Sequence, residues 1–247
     1  VEEVVLTLRK ELTKTSQSQD ANTDYRQLLI KSLHTCAVRF SEVAGDVMRE
    51  LMNFLGDSSS TSAVDVIAFV REVVERFPDM RENILAKLIS SFSDFRNGKV
   101  YRGALWVVGD YCMSINSVNE AMQQIRQVLG EVPILAAEER AAEQTEQPSV
   151  EDEPSSAPRT VPTTRVRADG TYATESALTV EAPIEKPSSR SKPPLRSLIL
   201  FGDFYTASVL AATLVKLVLR FLSLSSDEAA NNRLRAEAML IMTSIVR

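Results

Sequence analysis

The side chains of this 247-residue chain that could do chemistry are few, and their spacing carries little catalytic meaning. A single histidine, His34, leaves no supply for a histidine-rich metal site or a Ser-His-Asp arrangement. It stands between Leu33 and Thr35, where a helical wheel sets it beside an apolar face as a packed or solvent-edge ring. Cys36 and Cys112 also fall on apolar faces, whereas a nucleophilic thiol needs a positive, partly exposed setting. Two cysteines are too few for a disulfide framework and suit a reducing compartment. Carboxylates crowd together from Glu138 to Glu153, without the glycine and alternating ligands of a calcium loop, and read as a solvated acidic stretch. Phosphate-binding glycine loops, HExxH and CxxC are all missing from the sequence. The expectation is therefore no enzyme, no metal and no cofactor.

The most specific stretch is Tyr101-Arg-Gly-Ala-Leu-Trp-Val-Val-Gly-Asp-Tyr-Cys112, which holds the only tryptophan. Gly109 lies inside a helical pattern, where glycine costs about 1 kcal/mol relative to alanine. Such a cost is tolerated where another backbone comes close. Asp110 should pair with an arginine or cap a nearby helix. Trp106, Gly109, Asp110 and Tyr111 thus form a candidate structural motif, with a purely packing role as the plain alternative.

The elements that position these residues are helical. Apolar residues recur with helical spacing over 2–15, 25–40, 43–55 and 62–77, where Pro78 stops the last of these. Asp79 to Glu82 reads as a capping box for the next helix, and Asn97-Gly98 as its left-handed end. Helices follow over 99–113 and 121–129, the second behind a capping box at Ser117 to Glu120. A long apolar helix is expected over 197–224 and a last one after Glu228, with no convincing strand. Asp203, Lys216 and Arg220 interrupt that apolar stretch, so it reads as a core helix of a soluble protein rather than a membrane span.

Helices near Tyr25, Ser62 and Lys99 start 37 residues apart, the mark of stacked helix pairs. The fold class is all-α, a HEAT/ARM-type α-solenoid, with a compact bundle as the alternative. Eight glycines, about 3% of the chain against an average of roughly 7%, agree with helices rather than turn-rich sheets. Eight of the ten prolines lie between Ala141 and Pro194. The expected organisation is helical repeats over 1–137, an acidic, proline-rich and largely disordered insert over 138–196, and final helices over 197–247. Within the insert, the segment 170–178 carries an aromatic and an aliphatic residue, Tyr172 and Leu178, that could anchor it on the folded body. A net charge of −5 excludes a general nucleic-acid binder. A start at Val1 within a helical pattern suggests a piece of a longer protein.

The helix around Trp106 resembles the tryptophan–glycine–acid–tyrosine helix of the adaptin and coatomer large subunits. Other blocks are similar to the coatomer β-subunit family in particular: Leu33-His-Thr-Cys-Ala-Val38, Ser62-Ala-Val-Asp-Val66, Phe69-Val-Arg-Glu72, Arg76-Phe-Pro78, Leu129-Gly-Glu-Val-Pro133, Gly170-Thr-Tyr-Ala-Thr174, Pro193-Pro-Leu-Arg196, Gly202-Asp-Phe204 and Ala236-Glu-Ala-Met-Leu240. They run in the family's order from about Tyr25 to the end, with Ser41 in place of an expected proline and Asp110 in place of the usual glutamate. The resemblance implies an adaptin-like trunk in the COPI vesicle coat of Golgi-to-ER and intra-Golgi transport. It implies a cytoplasmic protein, peripheral on Golgi membranes and COPI vesicles, that reaches membrane only through partners. Those partners are other coatomer subunits, delta-COP through its longin domain above all, and an Arf-family small GTPase that recruits the coat. The alternative is a solenoid scaffold outside vesicle coats, such as a karyopherin-like carrier or a phosphatase scaffold.

Overall fold

The computed structural model describes residues 2–17, 23–56, 60–146, 165–166, 172–173 and 192–246. Eleven α-helices lie among them: α1 Glu2–Gln17, α2 Thr23–Arg39, α3 Ser41–Leu51, α4 Ser60–Arg76, α5 Arg81–Ser90, α6 Gly98–Tyr111, α7 Ile115–Leu129, α8 Ile134–Glu146, α9 Pro194–Leu200, α10 Phe204–Leu224 and α11 Glu228–Val246. Two compact units separate, Val1–Arg140 with Lys192–Arg247, and Ala141–Ser191.

In the first unit α2, α4, α6 and α10 stack side by side in that order, and behind them α3 packs on α2, α5 on α4 and α7, and α11 on α10. The expected solenoid is thus the observed fold, and the cross-links between repeats keep its period. Gln27 donates to Asp65 at 2.7 Å, His34 meets Glu72 at 2.7 Å and Lys87 donates to the Arg49 carbonyl at 3.2 Å, each across 38 residues. The same row continues from α6 to α10 across 108 residues, where Thr213 Oγ1 donates to the Leu105 carbonyl at 3.0 Å. α10 therefore occupies the next place in the stack even though α8, α9 and the intervening segment come first in the chain. The core between the rows is aliphatic with a few rings: Phe69, Val70, Leu88, Phe92, Leu105, Ile125 and Leu214 are fully buried.

Local signals were less faithful than periodicity. The box expected at Asp79 does not form: Pro78–Met80 is a 3-10 turn and α5 starts without a side-chain cap. Gly98 does not end a helix; Asn97 caps α6 by accepting from the Lys99 amide at 2.8 Å, and Gly98 is its first residue. The cap of α7 sits one residue triplet earlier than expected, where Ser114 and Ser117 satisfy each other's amides. The helix expected over 197–224 is two, broken at Gly202, whose φ of +91° only glycine adopts freely, and restarted by the Asp203 cap. α8 runs to Glu146, through the boundary expected at 138. Where no strand was expected, Arg165–Val166 and Tyr172–Ala173 form a two-residue antiparallel ladder, with Val166 opposite Tyr172.

α10 is long and apolar enough, by length and composition, to cross a membrane. Here it lies along α6 and α11, burying Leu210, Leu214, Leu217 and Phe221, with Lys216 paired to Asp110. That is the packing of a solenoid helix.

Candidate partner-binding groove

α6 holds the residues that the sequence marks out, and its neighbours α4 and α10 explain its composition. A Cβ at Gly103 would stand 2.8 Å from Ile67 Cγ1, so only glycine lets α6 approach α4 this closely. At Gly109 the same atom would meet Thr213 Cα and Lys216 Cδ of α10 at 3.4 Å, ordinary to tight contact with that helix. A groove of about 610 Å³ opens where α4, α6 and α10 meet.

Val64, Ile67 and Ala68 form one wall of this groove, Tyr205 and Val209 the other, with Gly103 and Trp106 between. The Arg71 guanidinium lies 4.5 Å from the Trp106 ring centre, and Tyr111 meets that ring edge-on at 6.2 Å. Arg81 covers Tyr111 in turn at 4.9 Å. Asp110 pairs with Lys216 at 2.6 Å, a lysine rather than the expected arginine or helix end. At the α9–α10 corner Phe201, Phe204 and Tyr205 are 91, 72 and 69% exposed, extending the apolar surface beyond the groove. Their backbone is held by Asp203, which accepts from the Thr206 amide at 3.0 Å and hydroxyl at 2.6 Å and from Arg102 at 3.1 Å. Burial pushes the Asp203 carboxyl up, but the Thr206 and Arg102 donors outweigh it and hold the group below the usual carboxylate range.

Trp106, Gly109, Asp110 and Tyr111 thus sit together on α6, with Trp106 alone lining the groove. Tyr172 belongs to the two-residue ladder, and Leu178 lies outside the described residues. Sequence reasoning missed Gly103, Arg71 and the Arg102–Asp203–Thr206 cluster. The first had a signal, a second glycine inside a helical pattern; the last had none that joined Arg102 to Asp203 and Thr206, which lie 101 and 104 residues away.

Of the groups that might react, His34 is bonded and Cys112 is buried. His34 bonds Glu72 and tilts against Phe69 at 4.8 Å. Burial pushes the Cys112 thiol up to about 11, and Ser117 only partly offsets it. Native protein should therefore consume a thiol reagent at no more than one cysteine, the half-buried Cys36, at pH 7.5. Mass mapping of the alkylated residue checks this, and equal labelling of Cys112 would contradict it.

The family model described as adaptin N terminal region matches residues 1–181. Coatomer subunit beta of Schizosaccharomyces pombe is 42% identical over 257 residues, covering 100% of this chain and 27% of that protein. The Saccharomyces cerevisiae coatomer subunit beta is 42% identical over 252 residues, and the Arabidopsis thaliana coatomer subunit beta-2 is 42% identical over 251, each covering 100% of this chain and 26% of the relative. The chain spans about a quarter of the length of these curated relatives. No solved structure matches it significantly. A stack of antiparallel helices, a glycine that lets α6 approach α4, and a family match across most of the sequence agree: the chain belongs to the adaptin N-terminal region family.

Proposed function

We propose that the chain is a section of the trunk of a coatomer β subunit, a structural and partner-binding rather than catalytic part of the COPI coat in Golgi-to-ER and intra-Golgi transport. The observation that carries this reading is identity of 42% to coatomer β subunits along the whole chain, fungal and plant alike. Its partners are the other coatomer subunits, with delta-COP docking its longin domain on the face of α4, α6 and α10. An Arf-family GTPase recruits the assembly, so the chain sits in the cytoplasm and meets Golgi membranes and vesicles only through other proteins. The groove supports that docking face: apolar walls, an aromatic floor and a neighbouring trio of exposed rings are the composition of an interface core.

Pull-down of the chain from cytosol should co-elute coatomer subunits, delta-COP among them. Ala68→Arg and Tyr205→Asp, both on exposed groove positions, should weaken delta-COP binding at least tenfold with the helical circular-dichroism signal unchanged. Unchanged binding in both variants would move the docking face elsewhere. Failure to recover any coatomer subunit would reject the coat assignment itself.

A further inference from the structure

Segment 147–191 follows α8, and the chain rejoins the helical unit at Lys192. At that point one buried side chain gathers the surrounding backbone. Arg196, on α9 and only 5% exposed, donates Nη1 to the Leu129 carbonyl at 3.2 Å and to the Glu131 carbonyl at 2.5 Å. Its Nη2 donates to the Ile134 carbonyl at 2.9 Å and its Nε to Glu138 Oε1 at 2.7 Å. Lys192 takes the other oxygen of Glu138 at 2.5 Å. The end of α7, the turn after it and the first turns of α8 are thus bonded to the returning chain. Ser244 of α11 accepts from the Ile134 amide at 2.7 Å, joining the last helix to the same corner. Gly130 completes the fit: its φ is +72°, and a Cβ there would come within 3.0 Å of Pro193.

The chemistry suits permanence. A guanidinium removed from water is tolerable only with its donors satisfied, and this one has a carboxylate and three carbonyls. The carbonyls at a helix end otherwise need water or a glycine motif. Hydrogen bonds from Lys192 and Arg196 hold the Glu138 carboxyl below the usual carboxylate range, so the anion persists at neutral pH.

We infer that Arg196 is a clamp that closes the repeat stack where the inserted segment leaves and re-enters it. Continuity from α7 to α10 then rests on this clamp and on the packing of α10 against α6, not on the covalent connection through 147–191. The cost of closing a connection grows only logarithmically with its length, so the length of 147–191 adds little to what the clamp must oppose. The segment can consequently be cut, modified or engaged by another protein while the solenoid keeps its form.

The test is a full chain in which residues 155–160 are replaced by a specific protease site. After cleavage the two fragments should co-elute on size exclusion, with an unfolding midpoint within a few degrees of the uncut chain. Arg196→Met should weaken the association of the cut fragments at least tenfold while the uncut variant remains folded. Glu138→Gln, which keeps the side-chain shape but not the charge, should act in the same direction and serves if the arginine variant does not fold uncut. Fragments that separate on cutting the unsubstituted chain would overturn the inference. So would fragments whose association is equally tight with and without Arg196 or Glu138 substituted.

Discussion

Tyr101→Ala is expected to lower the unfolding free energy by about 3–5 kcal/mol, the range for deleting a buried ring and leaving a cavity. Tyr101 is wholly buried at the corner between α5 and α6, with its ring edge-on to Phe95 at 5.3 Å and to Phe92 at 6.2 Å. Its hydroxyl donates to the Phe92 carbonyl at 2.5 Å. Tyr101→Phe keeps the ring and removes only that donor, so about 1 kcal/mol should be lost. Urea unfolding followed by circular dichroism separates the two variants, and equal losses would mean that the hydroxyl carries the effect. A pH dependence accompanies this. Burial raises the Tyr101 phenol well above its ordinary value, so the folded chain keeps a proton that the unfolded chain releases above about pH 10. The stabilisation is complete below pH 10 and is lost as pH rises further. Cys112, pushed from 9.0 up to about 11, starts the same loss earlier, between those two values. The midpoint should fall less steeply above pH 9 in Cys112→Ala and less steeply above pH 10 in Tyr101→Phe. Identical slopes in the parent and both variants would contradict the assignment.

Asp203→Ala should cost about 2–3 kcal/mol, combining a lost helix cap of about 1 kcal/mol with a lost charged partner for a half-buried arginine. The cap opens α10, the fourth helix of the stacked row, and Arg102 reaches it from α6. Asp203→Asn retains an acceptor for the Thr206 amide and should lose about half as much. Gly98→Ala should move in the same direction, because its Cβ would collide with Asp203 Oδ2. The sign with pH is opposite to that of Tyr101. The Asp203 carboxyl is held below its ordinary range, so its contribution is present above that range and disappears as pH falls through the depressed value. The gap between parent and Asp203→Asn should close in acid. A gap that stays constant down to pH 2 would show that the charge is not what holds the corner.

The repeat was legible because helix periodicity and repeat length are both written along the chain. The 37-residue spacing of Tyr25, Ser62 and Lys99 became contacts across 38 residues between neighbouring repeats. Caps were misread where a local pattern competed with packing. Gly98 looks like a helix end after Asn97, yet its backbone does not adopt the left-handed conformation; it is glycine because Asp203 occupies the space of its Cβ. Likewise the run from Ser197 to Leu224 has no proline to announce a break, and Gly202 makes one so that Asp203 can face Arg102. In the groove, Trp106 stood out as the only tryptophan, whereas no local pattern placed the Arg71 guanidinium over that ring.

The sequence by itself determined that this chain is a helical solenoid, interrupted by a proline-rich stretch, and similar to coat subunits. Those properties are sums over many residues close in the chain, so no three-dimensional information is needed to read them. Tertiary structure alone decided which sparse residues became decisive. Arg196 meets carbonyls more than sixty residues upstream, and the Asp203 corner is completed by α6 a hundred residues away. The chemically specific features, as opposed to the fold, arise from side chains whose meaning depends on what the stack brings opposite them. Surroundings likewise set the state of the lone histidine, which is bonded to Glu72, and of Cys112, whose thiol burial keeps protonated at neutral pH.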